Sequence, residues 1–188
     1  MKLQVTPYRL TALAALALTF AFSAGIVRAQ SADSEEISAL LTQAKSHVVQ
    51  MEDDAAVLDS FARSKLSWKS HANKLNQIRE HINSLGQVNK QLTEKRTEGS
   101  PWQQKAIDQI DPLLHEMAST LTGTINHLNQ QPSRIHMREY REYAHSNHEL
   151  ASKTARMIRD FVDYDEAKAE AEALEARLEL PTAGEKNE

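Results

Sequence analysis

The chain has 188 residues, 22 Lys and Arg against 26 Asp and Glu for a net charge of −4, and no cysteine. With no thiol, a disulfide framework, a lipid-modified cysteine, an iron–sulfur cluster and covalent c-type haem attachment are all excluded. The acidic balance argues against nucleic acid or an anionic membrane as partner, since both demand a basic face.

The first element reads as an address. Lys2 and Arg9 precede the uncharged stretch "LTALAALALTFAF", residues 10–22, and Val27 and Ala29 stand at positions −3 and −1 before Gln30. A positive start, a short apolar run and small residues before a cut make residues 1–29 a secretory signal peptide. An uncleaved anchor is the alternative, because the uncharged run from Leu10 to Val27 has 18 residues, the short edge of a bilayer span. Cleavage removes three basic residues and no acidic one, leaving 19 basic and 26 acidic side chains, net −7. The remaining 159 residues suit one domain, expected in the periplasm or outside the cell. No other segment is apolar enough to span a bilayer, so no stable membrane insertion is expected after signal removal.

Everything that follows has helical periodicity. Segment one opens at "ADSEEIS", where Asp33 is placed to cap and Glu36 to complete a capping box. Ile37, Leu40, Leu41, Ala44, Val48, Met51, Ala55 and Leu58 then form one stripe, which loses phase near "FARSKLSW". Segment two, capped by Ser64 or Ser67, carries Trp68, His71, Leu75, Ile78, Ile82, Leu85 and Leu92, and Gly99 is a natural stop.

Segment three begins with Ser100 as cap and Pro101 at the first helical position, where its missing N–H costs nothing. Its stripe of Ile107, Ile110, Leu114, Met117, Leu121, Ile125 and Leu128 keeps phase through Pro112. That predicts one helix bent at the proline; a stop and restart capped by Asp111 is the alternative. Segment four carries Tyr140, Tyr143, Asn147, Leu150, Ala151, Thr154, Met157, Ile158, Phe161 and Tyr164, then passes into "DEAKAEAEALEARLEL", almost pure helix formers.

Similar lengths and short links predict an all-α, antiparallel up-down-up-down four-helix bundle over residues 33–165. Reversals near residues 64, 99 and 133 set the register. Trp68 then lies level with Phe61, Leu128 and Ile135, and Trp102 with Leu92, Phe161 and Tyr164, so the tryptophans cover opposite ends. The charged helix 166–180 overhangs, and 181–188 is a disordered tail. Ala167, Ala171, Leu174 and Leu178 keep a narrow stripe on the overhang. Either this helix frays alone or it pairs with a protein partner or its own copy as a short coiled coil.

Eight histidines in a helical bundle raise the question of a metal. His71 falls on the core stripe of segment two. His47 and His81 lie at the stripe edges of segments one and two and level with each other, which makes them the candidate metal ligands, with Glu149 or His148 as the third. His115 and His145 point outward, His148 lies nearer the surface than the core, and His127 sits a quarter-turn off its stripe. No Glu-x-x-His occurs, so a di-iron carboxylate site is not expected. Haem is not expected either, since the register puts Met51 two turns from His71. Asn147 and Asn89 are read as buried polar residues that fix register.

The chain has no G-x-S-x-G, H-E-x-x-H or P-loop motif, and no catalytic residue can be nominated. "SWKSHANKLNQIREHINSLGQ" and "SPWQQKAIDQIDPLLHEMASTLTGTINHLNQ" within residues 64–165 give the chain a general resemblance to a group of exported bacterial helical-bundle proteins without assigned function. That resemblance implies export and a helical fold, and no catalytic residues. The expectation is a non-enzymatic interaction or structural protein of the cell envelope, needing no cofactor. A small metal- or cofactor-binding bundle is the alternative.

Overall fold

The computed structural model describes residues 32–178. The expected signal peptide, its cleavage site and the tail from 181 lie outside the described residues. Four helices follow one another: α1 (Glu35–Ala62), α2 (Trp68–Glu94), α3 (Pro101–Gln130) and α4 (Arg138–Leu178). Among the described residues there is no strand, and single 3-10 turns at Arg96–Glu98 and Pro132–Arg134 fill two of the links. No described helix is long and apolar enough to cross a membrane.

Each helix packs on two neighbours, α1 on α2 and α4, α3 on α2 and α4, as an antiparallel four-helix bundle. The expected stripes of α1 and α2 form the core almost residue for residue, with Ile37, Met51, Leu58, Leu75, Ile78 and Leu85 all closed to solvent. A fully buried aliphatic side chain of this size contributes about 1.5–3 kcal/mol, so these stripes carry most of the favourable energy of folding. Interhelix ion pairs on the rim, such as Lys45–Asp163 at 2.7 Å, add far less.

α3 runs unbroken through Pro112. The helix is kept by its own buried face, Ile110, Leu114 and Met117, packed on both sides of the proline. The cap of α1 differs from expectation. Ser34, not Asp33, is its N-cap, accepting from the Ile37 amide, while Glu36 pairs with Lys95 at 2.7 Å. Asp33 is engaged elsewhere: its Oδ1 accepts from the Trp102 indole at 2.7 Å and its Oδ2 from Lys168.

Gly99 also has a different reason from the one its position suggests. Its φ of −80° and ψ of 154° are open to any residue, so it is no left-handed helix stop. A Cβ there would lie 2.8 Å from Ile37 Cδ1 and 3.1 Å from Gln103 Cβ, so any side chain would have to push Ile37 aside.

The register is displaced by one to two turns between α1 and α4. Reversals near 64, 99 and 133 would set Asp33 level with Tyr164, but it pairs with Lys168. The turns between helices span residues 63–67, 95–100 and 131–137, and the 3-10 turns in the last two move the reversal points by about a residue each. The overhang therefore begins beyond Lys168. Past it α4 stays helical to Leu178 with no buried residue, and Leu178 is 60% exposed.

Candidate functional site

The two ends of the bundle are polar in different ways. At the end formed by the N-termini of α1 and α3, Gln103 is fully buried. Its Oε1 accepts from the backbone amides of Ser34 at 2.9 Å and Ser100 at 3.0 Å. Its Nε2 donates to the Ser34 carbonyl at 2.9 Å and the Ser38 hydroxyl at 3.1 Å. One side chain thus ties the start of α3 diagonally to the start of α1 and satisfies orphan groups of both helix ends. Trp102 beside it stacks edge-on with Tyr164, ring centroids 5.4 Å apart, as the register led us to expect. Partial burial raises the Asp33 carboxyl pKa, but the donors Lys168, Ser100 and Trp102 outweigh it and hold the group below the ordinary carboxylate value.

The opposite end carries an unbroken ring chain, Phe61–His71–Tyr140–His127–Tyr143, with successive centroids 5.2–5.9 Å apart. Trp68 does not close this end. It is 46% exposed, and the fully buried Tyr140 takes the central place. His71 is buried as its stripe position requires, and its Nδ1 meets Tyr140 Oη at 3.1 Å. Its Nε2 has no partner. Protonation would add a second buried N–H with nothing to receive it, so burial, with the nearby His136, lowers the His71 pKa below 6.5. Burial likewise pushes the Tyr140 phenol up. Both groups are neutral, structural members of the core.

His47 and His81, the pair singled out by the sequence, are both half-buried. His81 Nε2 lies 3.2 Å from Asp54 Oδ2, a carboxylate whose other oxygen takes Lys74. Glu52 of α1 meets Ser152 of α4 at 2.8 Å, so His47 lies level with the stretch of α4 about two and a half turns beyond His148, roughly 13 Å along the axis. The third ligand expected from His148 or Glu149 is therefore not brought to His47; the slide of α4 against α1 carries it away.

It carries His148 instead to Asp59. One ligand atom each from Asp59, His145 and His148 lies within 4.8 Å of the other two, the one such group of three among the described residues. Asp59 is in the last turn of α1 and only 9% exposed. His145 and His148, three residues apart on α4, share one helix face. His145 Nδ1 is 3.7 Å from Asp59 Oδ2, and its Nε2 is 3.4 Å from Glu149 Oε1. Arg63 Nη2 also reaches Asp59 Oδ2, at 2.6 Å, while Asp59 Oδ1 is buried with no hydrogen-bond partner.

Two of these participants, Asp59 and Gln103, received no role from the sequence. Gln103 had a visible signal, since Ser100-x-x-Gln103 is a capping box. For Asp59 the signal is weaker: an acid adjoining the core stripe at Leu58, opposite the i, i+3 pair His145 and His148. Asn147 and Asn89 are buried as expected: Asn147 Nδ2 donates to Thr124 Oγ1 at 2.6 Å, and Asn89 Nδ2 to Asp111 Oδ1 at 2.9 Å. No protein-family model matches the chain, and no match is found among curated proteins or solved structures.

Proposed function

We propose that this is a non-enzymatic, exported helical bundle that acts through protein contacts in the cell envelope, with the last three turns of α4 as its contact element. The observation that carries this reading is a helix that outruns its own bundle. Ala167, Ala171, Leu174 and Leu178 are all exposed and fall on one stripe at alternating spacings of four and three. Such spacing is a coiled-coil seam. The leader-like sequence of residues 1–29 supports export, and the acidic balance supports a protein partner over nucleic acid.

The flanking charges favour a second copy in antiparallel orientation. With Ala171 opposite the partner copy's Leu174, Glu170 comes beside the second Arg177, and Lys168 beside the second Glu175. A parallel pair would set Glu170 against Glu175, which repel. Leu174 and Leu178 are 38% and 60% exposed, so closing the four leucines of such a seam contributes about 3–6 kcal/mol, and association itself costs about 4–15 kcal/mol. The contact is therefore weak and reversible.

Sedimentation velocity of residues 30–188 across a concentration series tests it. The expected result is a monomer–dimer equilibrium abolished by Leu174→Glu and by Arg177→Glu, and restored by the double exchange Glu170→Arg with Arg177→Glu. A chain that stays monomeric at the highest attainable concentration, or dimerises unchanged with Leu174→Glu, defeats the assignment.

A further inference from the structure

We propose that Asp59, His145 and His148 form a binding site for a borderline divalent transition-metal ion, Zn2+ foremost, between the last turn of α1 and the first turns of α4. The inference is independent of the contact role of the overhang.

Three observations carry it. The first is the donor set: two imidazoles and one carboxylate without sulfur suit Zn2+, Cu2+ or Ni2+ and do not suit Ca2+ or Mg2+, which take oxygen ligands. Ligand atoms of a tetrahedral Zn2+ stand about 3.4 Å apart. The present mutual distances reach no further than 4.8 Å, so inward side-chain movements of about 1 Å complete the site.

The second is the orphaned oxygen. The Asp59 side chain is only 12% exposed, and its Oδ1 is buried with no hydrogen-bond partner. A buried carboxylate oxygen without a donor is unfavourable, and a cation held by both oxygens, with Oδ2 facing His145, would resolve it. Arg63 neutralises the charge only from Oδ2, with a side chain that is mostly in solvent and free to swing away.

The third is the support of His145. Glu149, one turn on, faces Nε2 at 3.4 Å while Nδ1 faces Asp59. A proton on Nε2, directed to that carboxylate, would leave the Nδ1 lone pair facing the site, the arrangement by which carboxylates orient metal-binding imidazoles. Glu149 is thus a positioning residue, and the fourth coordination position is left to water.

Equilibrium dialysis of residues 30–188 against Zn2+ is the experiment, with far-UV circular dichroism melts confirming the fold of each variant. One equivalent of Zn2+ is expected to bind saturably. His148→Ala, at a half-buried position the fold tolerates, and Asp59→Asn are expected to weaken binding by about tenfold or more. The double variant His47→Ala with His81→Ala should bind as the parent does. Arg63→Ala should bind at least as tightly, because the rival cation is gone. X-ray absorption at the zinc edge should show two imidazole nitrogens in a nitrogen–oxygen shell. The proposal is overturned if no saturable uptake occurs, if folded His148→Ala binds unchanged, or if uptake disappears in the His47, His81 variant instead.

Discussion

Replacing Gln103 by leucine puts the diagonal clasp between α1 and α3 to the test. The side chain is wholly buried, and its amide makes four hydrogen bonds of 2.9–3.1 Å to Ser34, Ser38 and Ser100. A net contribution near 1 kcal/mol per bond puts the loss at about 4 kcal/mol. Leucine restores about 1–2 kcal/mol through its apolar surface. The expected loss is therefore about 2–3 kcal/mol, a lowering of Tm by about 4–12 °C for a chain of this size. Urea unfolding of residues 30–188, followed by far-UV circular dichroism, should show a lower midpoint with an unchanged m-value. Amide hydrogen exchange should locate the effect at Ser34 and Ser100, leaving mid-helix amides protected. Gln103→Glu gives an independent reading. Its carboxylate still accepts from the two backbone amides but faces the Ser34 carbonyl with a lone pair, which raises its folded pKa. That variant is most stable below the unfolded Glu pKa and loses stability as pH rises through the raised value. Gln103→Leu with a urea midpoint equal to the parent's would refute the reasoning.

Three further outcomes follow from the same physics. Because the His71 pKa is lowered in the fold, the unfolded chain binds more protons, so this group's contribution is intact above pH 6.5 and declines below it. The slope reaches at most about 1.4 kcal/mol per pH unit, and His71→Leu should flatten it in urea titrations at stepped pH. Asp33, held below 3.8, contributes stability above that pH and loses it as pH falls through the folded value. In a Trp68→Phe background, the fluorescence of Trp102 should shift in that acid window before global unfolding, and Lys168→Ala should bring the shift to higher pH. Gly99→Ala forces a Cβ to within 2.8 Å of Ile37 Cδ1. Overpacking of this kind costs about 1–3 kcal/mol, offset by about 0.4–1 kcal/mol from the stiffer unfolded chain. Trimming the neighbour with Ile37→Val should recover part of the loss in thermal melts.

The helices were legible because their causes are local. A 3.6-residue apolar period, Ser at the caps of α2 and α3, and Pro101 at the first helical position act within a turn or two of chain. The core was legible for the same reason: the phase of Leu75 or Met51 around its own helix decides that it faces inward, whichever neighbour covers it. Even the buried His71 and Asn147 could be placed from phase alone.

What the periodicity could not decide was lateral pairing at the stripe edges. A residue there is shared between two helices, and its partner depends on how far each helix slides along its neighbour. The turns after Glu94 and Gln130 move the reversal points by about a residue each, and these shifts add up to advance α4 by one to two turns against α1. That slide gives Asp33 to Lys168 rather than Tyr164 and brings His145 and His148 to Asp59 rather than His148 to His47. Gln103 and Gly99 acquire their roles from chain 69 and 62 residues away, Ser34 and Ile37, where close approach of helix ends leaves room for an amide in one place and no room for a Cβ in the other. The sequence by itself determined the rods and their inward faces; only the tertiary structure decided which edge residues meet, because that depends on cumulative turn geometry and no local pattern encodes it.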